Sequence, residues 1–293
     1  MRTTRPTNMT PPDYELIDFG DGRKLERFGS MTLDRPSPAA EGARAHAMLW
    51  DSATARFEGS IGQQGRWVIS SPIAISQIGD DWPLSLGAMT VRLRLSASGH
   101  VGLFPEQADN WSWIARQVPG LGRPLRVLNL FAYTGASTLA AAAAGAEVVH
   151  VDASRSTVAW ARRNAEASGL AAAPIRWIVD DALKFVEREL KRERVYDAVV
   201  LDPPSYGHGA GQAWKLDRDL PELVEACFAL TGPEPFFMLL TCHSPDYGPD
   251  KLADFWREHF PRSAIEAADM HLTTTDGRKL HAGAMARLGR ERA

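Results

Sequence analysis

The sequence predicts an α/β protein: a doubly wound, mostly parallel sheet preceded by a small antiparallel β-rich lobe. Three observations lead there. After Gly99, strand-like and helix-like segments alternate almost to the C-terminus, the grammar of βαβ crossovers. Several strand-like segments, YDAVVLD and PFFMLLTC among them, are nearly continuous apolar runs, as expected of parallel strands buried on both faces. Before Gly99 the runs are short, bounded by Gly, Pro or Asp, and alternate apolar with polar residues, as half-buried strands do. The expected division is residues 1–98 for the lobe and 99–293 for the α/β domain.

Taken in order, Pro11-Pro12 leads into YELIDFGDGRKLERFG, a hairpin around the Asp21-Gly22 turn signal. RPSPAA reads as a loop. AHAMLWDSATARFEG, RWVISSP and MTVRLRLSASGHVGLF supply further strands, with Val91, Leu93 and Leu95 alternating inward. Trp50, Trp67 and Trp82 read as core packing rather than base-stacking platforms. DNWSWIARQV is a helix leading into the second part. Its strands are RVLNLFAY, EVVHVD, IRWIVDD, YDAVVLD and PFFMLLTC, and its helices ASTLAAAAAG, STVAWARRNAEASG, LKFVERELKRER and LPELVEACFAL. IEAADMHL and HAGAMARL close the sheet at seven strands. ERELKRER (187–194) alternates in sign along a helix and reads as a solvated, mutually paired face.

Bulk properties narrow the function. Of the 293 residues, 44% are hydrophobic and 24% charged, ordinary for a globular protein. A net charge of -3 argues against a general nucleic-acid coat protein, though a local basic patch suffices for a nucleic-acid substrate. Cys227 and Cys242 lack metal-ligand spacing and are too few for a disulfide framework, so a reduced, cytoplasmic setting is expected. The opening MRTTRPTNMTPPDYEL has no apolar core of a secretory signal. No stretch reaches the roughly 18 apolar residues that span a bilayer. The eight histidines form no HxH or HxxxH pair, so no metal is expected. No oligomeric state is assigned.

In a doubly wound sheet, ligands bind outside the strands' carboxyl ends. The first strand of the α/β part ends in Phe131-Ala132-Tyr133-Thr134-Gly135 before an alanine-rich helix. Gly135 permits a tight turn, and the helix start offers N–H groups to a carboxylate or phosphate. With one glycine in the turn and no GxGxxG, a dinucleotide is disfavoured. The second strand ends in Asp152, able to accept from ribose hydroxyls or to cap the next helix ahead of Ser154; the ribose role is preferred. The third ends in Asp180-Asp181-Ala182, where one aspartate can take an adenine amine and the other cap a helix. The fourth ends in Asp202-Pro203-Pro204-Ser205-Tyr206-Gly207. Two prolines fix the backbone and remove two donors, leaving a rigid acceptor cluster suited to a planar, donor-bearing base. The fifth ends in Thr241-Cys242-His243-Ser244. Cys242 is either a nucleophile, with His243 beside it, or an inert small hydrophobe; Cys227 is core.

In this order NLFAYTGAS, VDASRSTVAWARRNAEASGL, VDDALKF and VVLDPPSYG resemble the Rossmann-like class I methyltransferase domain of the RlmI/RlmK type of 23S ribosomal RNA methyltransferase. The resemblance covers residues 99–244 well and the remainder loosely. It implies S-adenosylmethionine as cofactor, with S-adenosylhomocysteine as product. Phe131, Ala132, Tyr133, Thr134 and Gly135 would wrap the methionine part. Asp152, with Ala153 and Ser154, would bind the ribose, and Asp181, with Ala182, the adenine. Asp202 and Pro203 would border the methyl-transfer site, and Phe104 and Gln107 of GLFPEQ would close over the cofactor. The implied activity is methylation of an RNA base in ribosomal RNA: cytosine carbon-5 through a Cys242 thiolate, or guanine without a nucleophile. Residues 1–98 do not resemble the RNA-binding domain that precedes such enzymes. Methylation of a small molecule or protein, and a non-catalytic scaffold that binds the cofactor, therefore stand as alternatives.

Overall fold

The computed structural model describes residues 13–70, 76, 79–119, 122–207, 214–231, 235–261 and 264–289. The chain divides into two compact units, Met1–Asp109 with His271–Ala282, and Asn110–Met270 with Gly283–Ala293. The first unit thus runs past Ser98, and the tip of the closing hairpin belongs to it.

In the first unit β1 (Tyr14–Gly20), β2 (Arg23–Phe28), β3 (Met31–Pro36), β4 (Ala55–Glu58) and β5 (Arg66–Ile69) form a five-stranded sheet in sequential order. Asp21 and Gly22 have φ of 53° and 71°, the two left-handed residues that a two-residue hairpin of matching twist requires. One pairing departs from the antiparallel expectation. β3 and β4 run parallel, because the intervening chain, with a 3-10 helix at Ala47–Ser52, is long enough to return to the starting end. A separate ribbon pairs β6 (Trp82–Ser85) with β7 (Thr90–Leu93). Trp50 and Trp82 are buried, and their indoles donate to the Asp18 carboxylate (2.8 Å) and the Phe28 carbonyl (3.1 Å). Trp67, half-buried, donates to the Ser96 carbonyl. All three serve packing.

The second part opens with α1 (Ala108–Gln117), followed by β8 (Arg126–Leu130), α2 (Ala136–Ala143), β9 (Glu147–Asp152), α3 (Arg155–Ala167), β10 (Ile175–Val179), α4 (Ala182–Lys191) and β11 (Ala198–Leu201). A short ribbon of β12 (Tyr206–Gly207) and β13 (Trp214–Lys215) precedes α5 (Leu216–Thr231), β14 (Phe237–Cys242), α6 (Pro249–His259), β15 (Ile265–Thr273) and β16 (Lys279–Gly289). The seven-stranded sheet has the order β10-β9-β8-β11-β14-β16-β15, parallel from β10 through β14, with β16 antiparallel to β14. Strand order reverses between β8 and β11, the switch point where such sheets leave a crevice.

The apolar runs explain the sheet. Leu128, Leu130, Val199, Leu201, Met238 and Leu240 are buried on one face of the sheet, and Val127, Val200, Phe237 and Leu239 on the other. Helix α3 buries Val158, Ala161, Asn164 and Ala165, a helical stripe. Helix α6 was not anticipated, although Pro249 at its first turn and the buried Leu252, Ala253 and Trp256 mark it. The paired-face reading of 187–194 holds in part. Arg188 pairs with Asp180 and Arg192 with Glu189. Glu189, however, is buried and accepts from the Tyr196 hydroxyl at 2.7 Å; it faces inward because that partner satisfies it.

Candidate active site

The glycine turn after β8 is built from alternating left-handed residues: Phe131, Tyr133 and Gly135 have φ of 54°, 49° and 91°. Such conformations cost non-glycine residues on the order of 1 kcal/mol and persist only where the surroundings enforce them. Here the enforcement is visible. Ala132 N–H donates to the Val151 carbonyl, Gly135 N–H to the Ala132 carbonyl, and the buried Asn164 amide to the Thr134 carbonyl at 2.9 Å. A Cβ at Gly135 would lie 3.1 Å from the Ala161 methyl, so the turn rests directly on α3. Behind it, Asn129 donates to the Thr138 hydroxyl, which contacts Nδ1 of buried His150, both at 2.9 Å.

Asp152 joins this turn to the next strand. One carboxylate oxygen accepts from Tyr133 N–H at 2.9 Å and the other from Ser154 N–H at 2.8 Å. Burial raises its pKa above the ordinary aspartate value, against the pull of those two backbone bonds. Each oxygen has engaged one donor and retains acceptor capacity, which suits a vicinal diol. The helix-capping role falls instead to Ser154, whose hydroxyl accepts from Thr157 N–H. Ala153 is exposed beside it.

At the end of β10, Asp180 N–H donates to the Asp152 carbonyl at 3.1 Å, tying the two strand ends together. Asp180 pairs with Arg188, and Asp181 caps α4 by accepting from Lys184 N–H at 3.1 Å. Ala182 is buried. Capping thus occupies one oxygen of the residue expected to face adenine.

At the end of β11 the carboxylate of Asp202 meets Thr241 of β14 and His243 just beyond that strand's end. Thr241 Oγ1 donates to its Oδ1 at 2.7 Å, and His243 Nε2 lies 3.5 Å from the same oxygen. Burial pushes the Asp202 pKa up; the His243 charge and the bonds from His243 and Thr241 outweigh it, so the net shift is downward. Trp214, on the β12–β13 ribbon, donates its indole N–H to the Pro204 carbonyl at 2.7 Å and packs on Phe131 with ring centroids 4.9 Å apart. The ribbon therefore ties Pro203-Pro204 to the glycine turn. Trp214 and Thr241 were not assigned roles from the sequence; an indole after a loop and a hydroxyl in an apolar strand are the only signals they leave.

Cys242 is fully buried. Burial pushes its pKa up to about 11, and the nearby Asp202 charge adds to this. Its sulfur accepts from Ser244 N–H at 3.4 Å. Cys227 is buried on α5, as expected. Phe104 and Gln107 belong to the first unit, at a 3-10 turn spanning Pro105–Gln107. Among the described residues no helix is long and apolar enough to cross a membrane, and no cluster of three or more His, Cys, Asp or Glu has metal-binding geometry.

A strained glycine turn, a carboxylate with spare acceptor capacity on the next strand and a carboxylate of lowered pKa across the switch point fit a Rossmann-like enzyme that takes a nucleoside-bearing cofactor. The chain belongs to the S-adenosylmethionine-dependent methyltransferase family, whose model matches residues 64–273. S-adenosylmethionine is its cofactor. It is similar to the structure of a methyltransferase dependent on the same cofactor from Agrobacterium tumefaciens, at 37% identity and a TM-score of 0.88, covering 95% of this chain and 91% of that one. A Streptococcus mutans protein described as a methyltransferase of this kind shares the fold at 15% identity and a TM-score of 0.74, covering 95% and 75%. The ribosomal RNA large subunit methyltransferase I of Aeromonas salmonicida is 31% identical over 147 residues, 50% of this chain and 36% of that protein. The methyltransferase K/L of Allochromatium vinosum is 35% identical over 135 residues, 45% and 18% of the two chains. The match thus spans well under half the length of these curated relatives.

Proposed function

We propose that this enzyme methylates a base in RNA, of the ribosomal class that its relatives' names describe, in the cytoplasm. The observation that carries the reading is Asp202, held ionised beside two prolines at the switch point, one strand from the glycine turn. A carboxylate that accepts hydrogen bonds in a backbone lacking competing donors suits the amino or imino edge of a planar base.

Bound S-adenosylmethionine supplies an electrophilic methyl group on a positively charged sulfur. The chain's own residues position and dry the site. In this assignment Phe131–Gly135 hold the methionine part against the start of α2, Asp152 with Ala153 and Ser154 accepts from the ribose, and Asp181 with Ala182 borders the adenine. Asp202 and Pro203 orient the acceptor. Of the two chemistries expected for a base, the one without a nucleophile is favoured, since a buried thiol with its pKa pushed up to about 11 is almost wholly protonated near neutrality. Substrate recognition is assigned to the β-rich lobe.

The test is transfer of tritiated methyl groups into total RNA from a strain lacking the gene, with wild-type RNA alongside. Label entering only the deletion RNA supports the reading. Label absent from RNA but entering a small-molecule or protein fraction moves the acceptor to that class.

A further inference from the structure

We propose that Thr241 and His243 are positioning residues for methyl transfer: together they grip one carboxylate oxygen of Asp202 and hold that side chain as an oriented, ionised acceptor. The inference rests on the assignment of Asp202 to the acceptor site.

The β11–β14 register pairs Leu201 with Leu240, so the residues that follow on each strand, Asp202 and Thr241, emerge side by side. Thr241 is fully buried in an otherwise apolar strand. Its hydroxyl has two acceptors in reach, the Leu201 carbonyl at 3.5 Å and Asp202 Oδ1 at 2.7 Å. The shorter distance selects the carboxylate. His243, two residues on, brings Nε2 to the same oxygen, and a neighbouring carboxylate favours the proton on that nitrogen.

The imidazole's position has a separate cause on the neighbouring strand. Gly283 of β16 has φ of 116°, and a Cβ there would lie 2.7 Å from the Cys242 carbonyl and 3.1 Å from His243 Nδ1. Only a glycine leaves room for the ring, whose Nδ1 edge faces β16 while Nε2 faces Asp202. The sequence placed His243 as a partner for Cys242; the geometry gives it to Asp202. Other ionisable groups within electrostatic reach of this corner are Cys242, Tyr247, Lys251, Asp217 and Asp246. Burial leads in raising the thiol and the phenol well above neutrality, and Lys251 and Asp217 pair with one another at 3.9 Å. Thr241 and His243 are thus the groups that set the state of Asp202.

The decisive readout needs no substrate. In full-length protein carrying carbon-13 carboxyl-labelled aspartate, the Asp202 signal is identified by its loss in Asp202→Asn and titrated by NMR. Thr241→Val and His243→Ala are each expected to move its midpoint to higher pH, while His243→Gln, which keeps an N–H donor, moves it less than His243→Ala. An Asp202 midpoint unchanged in both Thr241→Val and His243→Ala overturns the proposal. Methyl transfer into RNA from the deletion strain is then followed against pH in the same variants. An acidic limb that moves with the NMR midpoint supports positioning through Asp202; a uniform loss at every pH, with the limb in place, contradicts it. If the midpoints move while even the wild-type enzyme labels no RNA, the grip stands and the RNA reading fails.

Discussion

Asp152 and Asp202 stand at the carboxyl ends of β9 and β11, on either side of β8, yet they are held by different means. Asp152 receives two backbone N–H groups, from Tyr133 and Ser154, and burial raises its pKa. Asp202 has burial working against it as well, but two side chains, Thr241 and His243, bring its pKa down. In the proposed assignment the contrast separates two tasks. A carboxylate fixed by main chain is set by the fold itself and suits a constant ligand, the cofactor. One fixed by side chains is tuned by replaceable residues and suits an acceptor that differs between enzymes of one fold.

The largest effect that would sharpen this division is expected from Asp202→Asn. Methyl transfer should fall by about two to three orders of magnitude, as when an oriented electrostatic group is removed from an active site. The assay is methyl incorporation at saturating cofactor; activity within threefold of wild type breaks the acceptor assignment.

Gly135→Ala addresses the other corner. Its φ of 91° and the 3.1 Å approach to Ala161 leave no unstrained place for a methyl group. Cofactor affinity should drop about tenfold or more, with a loss of about 1–2 kcal/mol in urea unfolding. Unchanged values in both would show that the turn is neither strained nor in contact with the cofactor.

His150 lies behind that turn, and burial alone lowers its pKa to about 3. The unfolded chain, with a histidine near its ordinary value, takes up a proton that the folded one refuses. The associated stability is complete above pH ~6.5 and is lost as pH falls toward 3. From pH 7 to 5 this group should cost about 2 kcal/mol. Urea midpoints for His150→Asn should therefore fall less steeply over that range than those of wild type; equal slopes would contradict the burial of a neutral imidazole.

The smallest effect is expected from Cys242→Ala. Methyl transfer should stay within about threefold of wild type, because a protonated buried thiol contributes little as a nucleophile. A loss of several orders of magnitude would restore the covalent route and bring carbon-5 of a pyrimidine forward as the acceptor.

Much of this was legible in advance, for identifiable reasons. The parallel strands announced themselves because burial on both faces leaves no polar alternation in runs such as AVVL and FMLLTC. The positions of Asp152 and Asp202 at strand ends were legible because each closes an apolar run, and strand ends in such a sheet face the crevice. The grip of Thr241 and His243 was not legible, since it depends on which strand lies beside β11 and in what register, information that no local pattern carries. Trp214 escaped for the same reason: only the fold brings its ring to Phe131. The parallel pairing of β3 with β4 was hidden by a connection whose path the residues do not reveal, and Glu189 was misplaced because its partner Tyr196 lies beyond the end of the helix.

The most direct measurement is calorimetric titration of S-adenosylhomocysteine into cofactor-stripped Asp152→Ala and Asp202→Asn. Replacing the backbone-held carboxylate should weaken binding about 100-fold, the cost of charge-assisted bonds to a diol, while the side-chain-held one should leave affinity within about threefold. Equal losses in the two variants, or none in Asp152→Ala, would contradict the division of labour between the two corners.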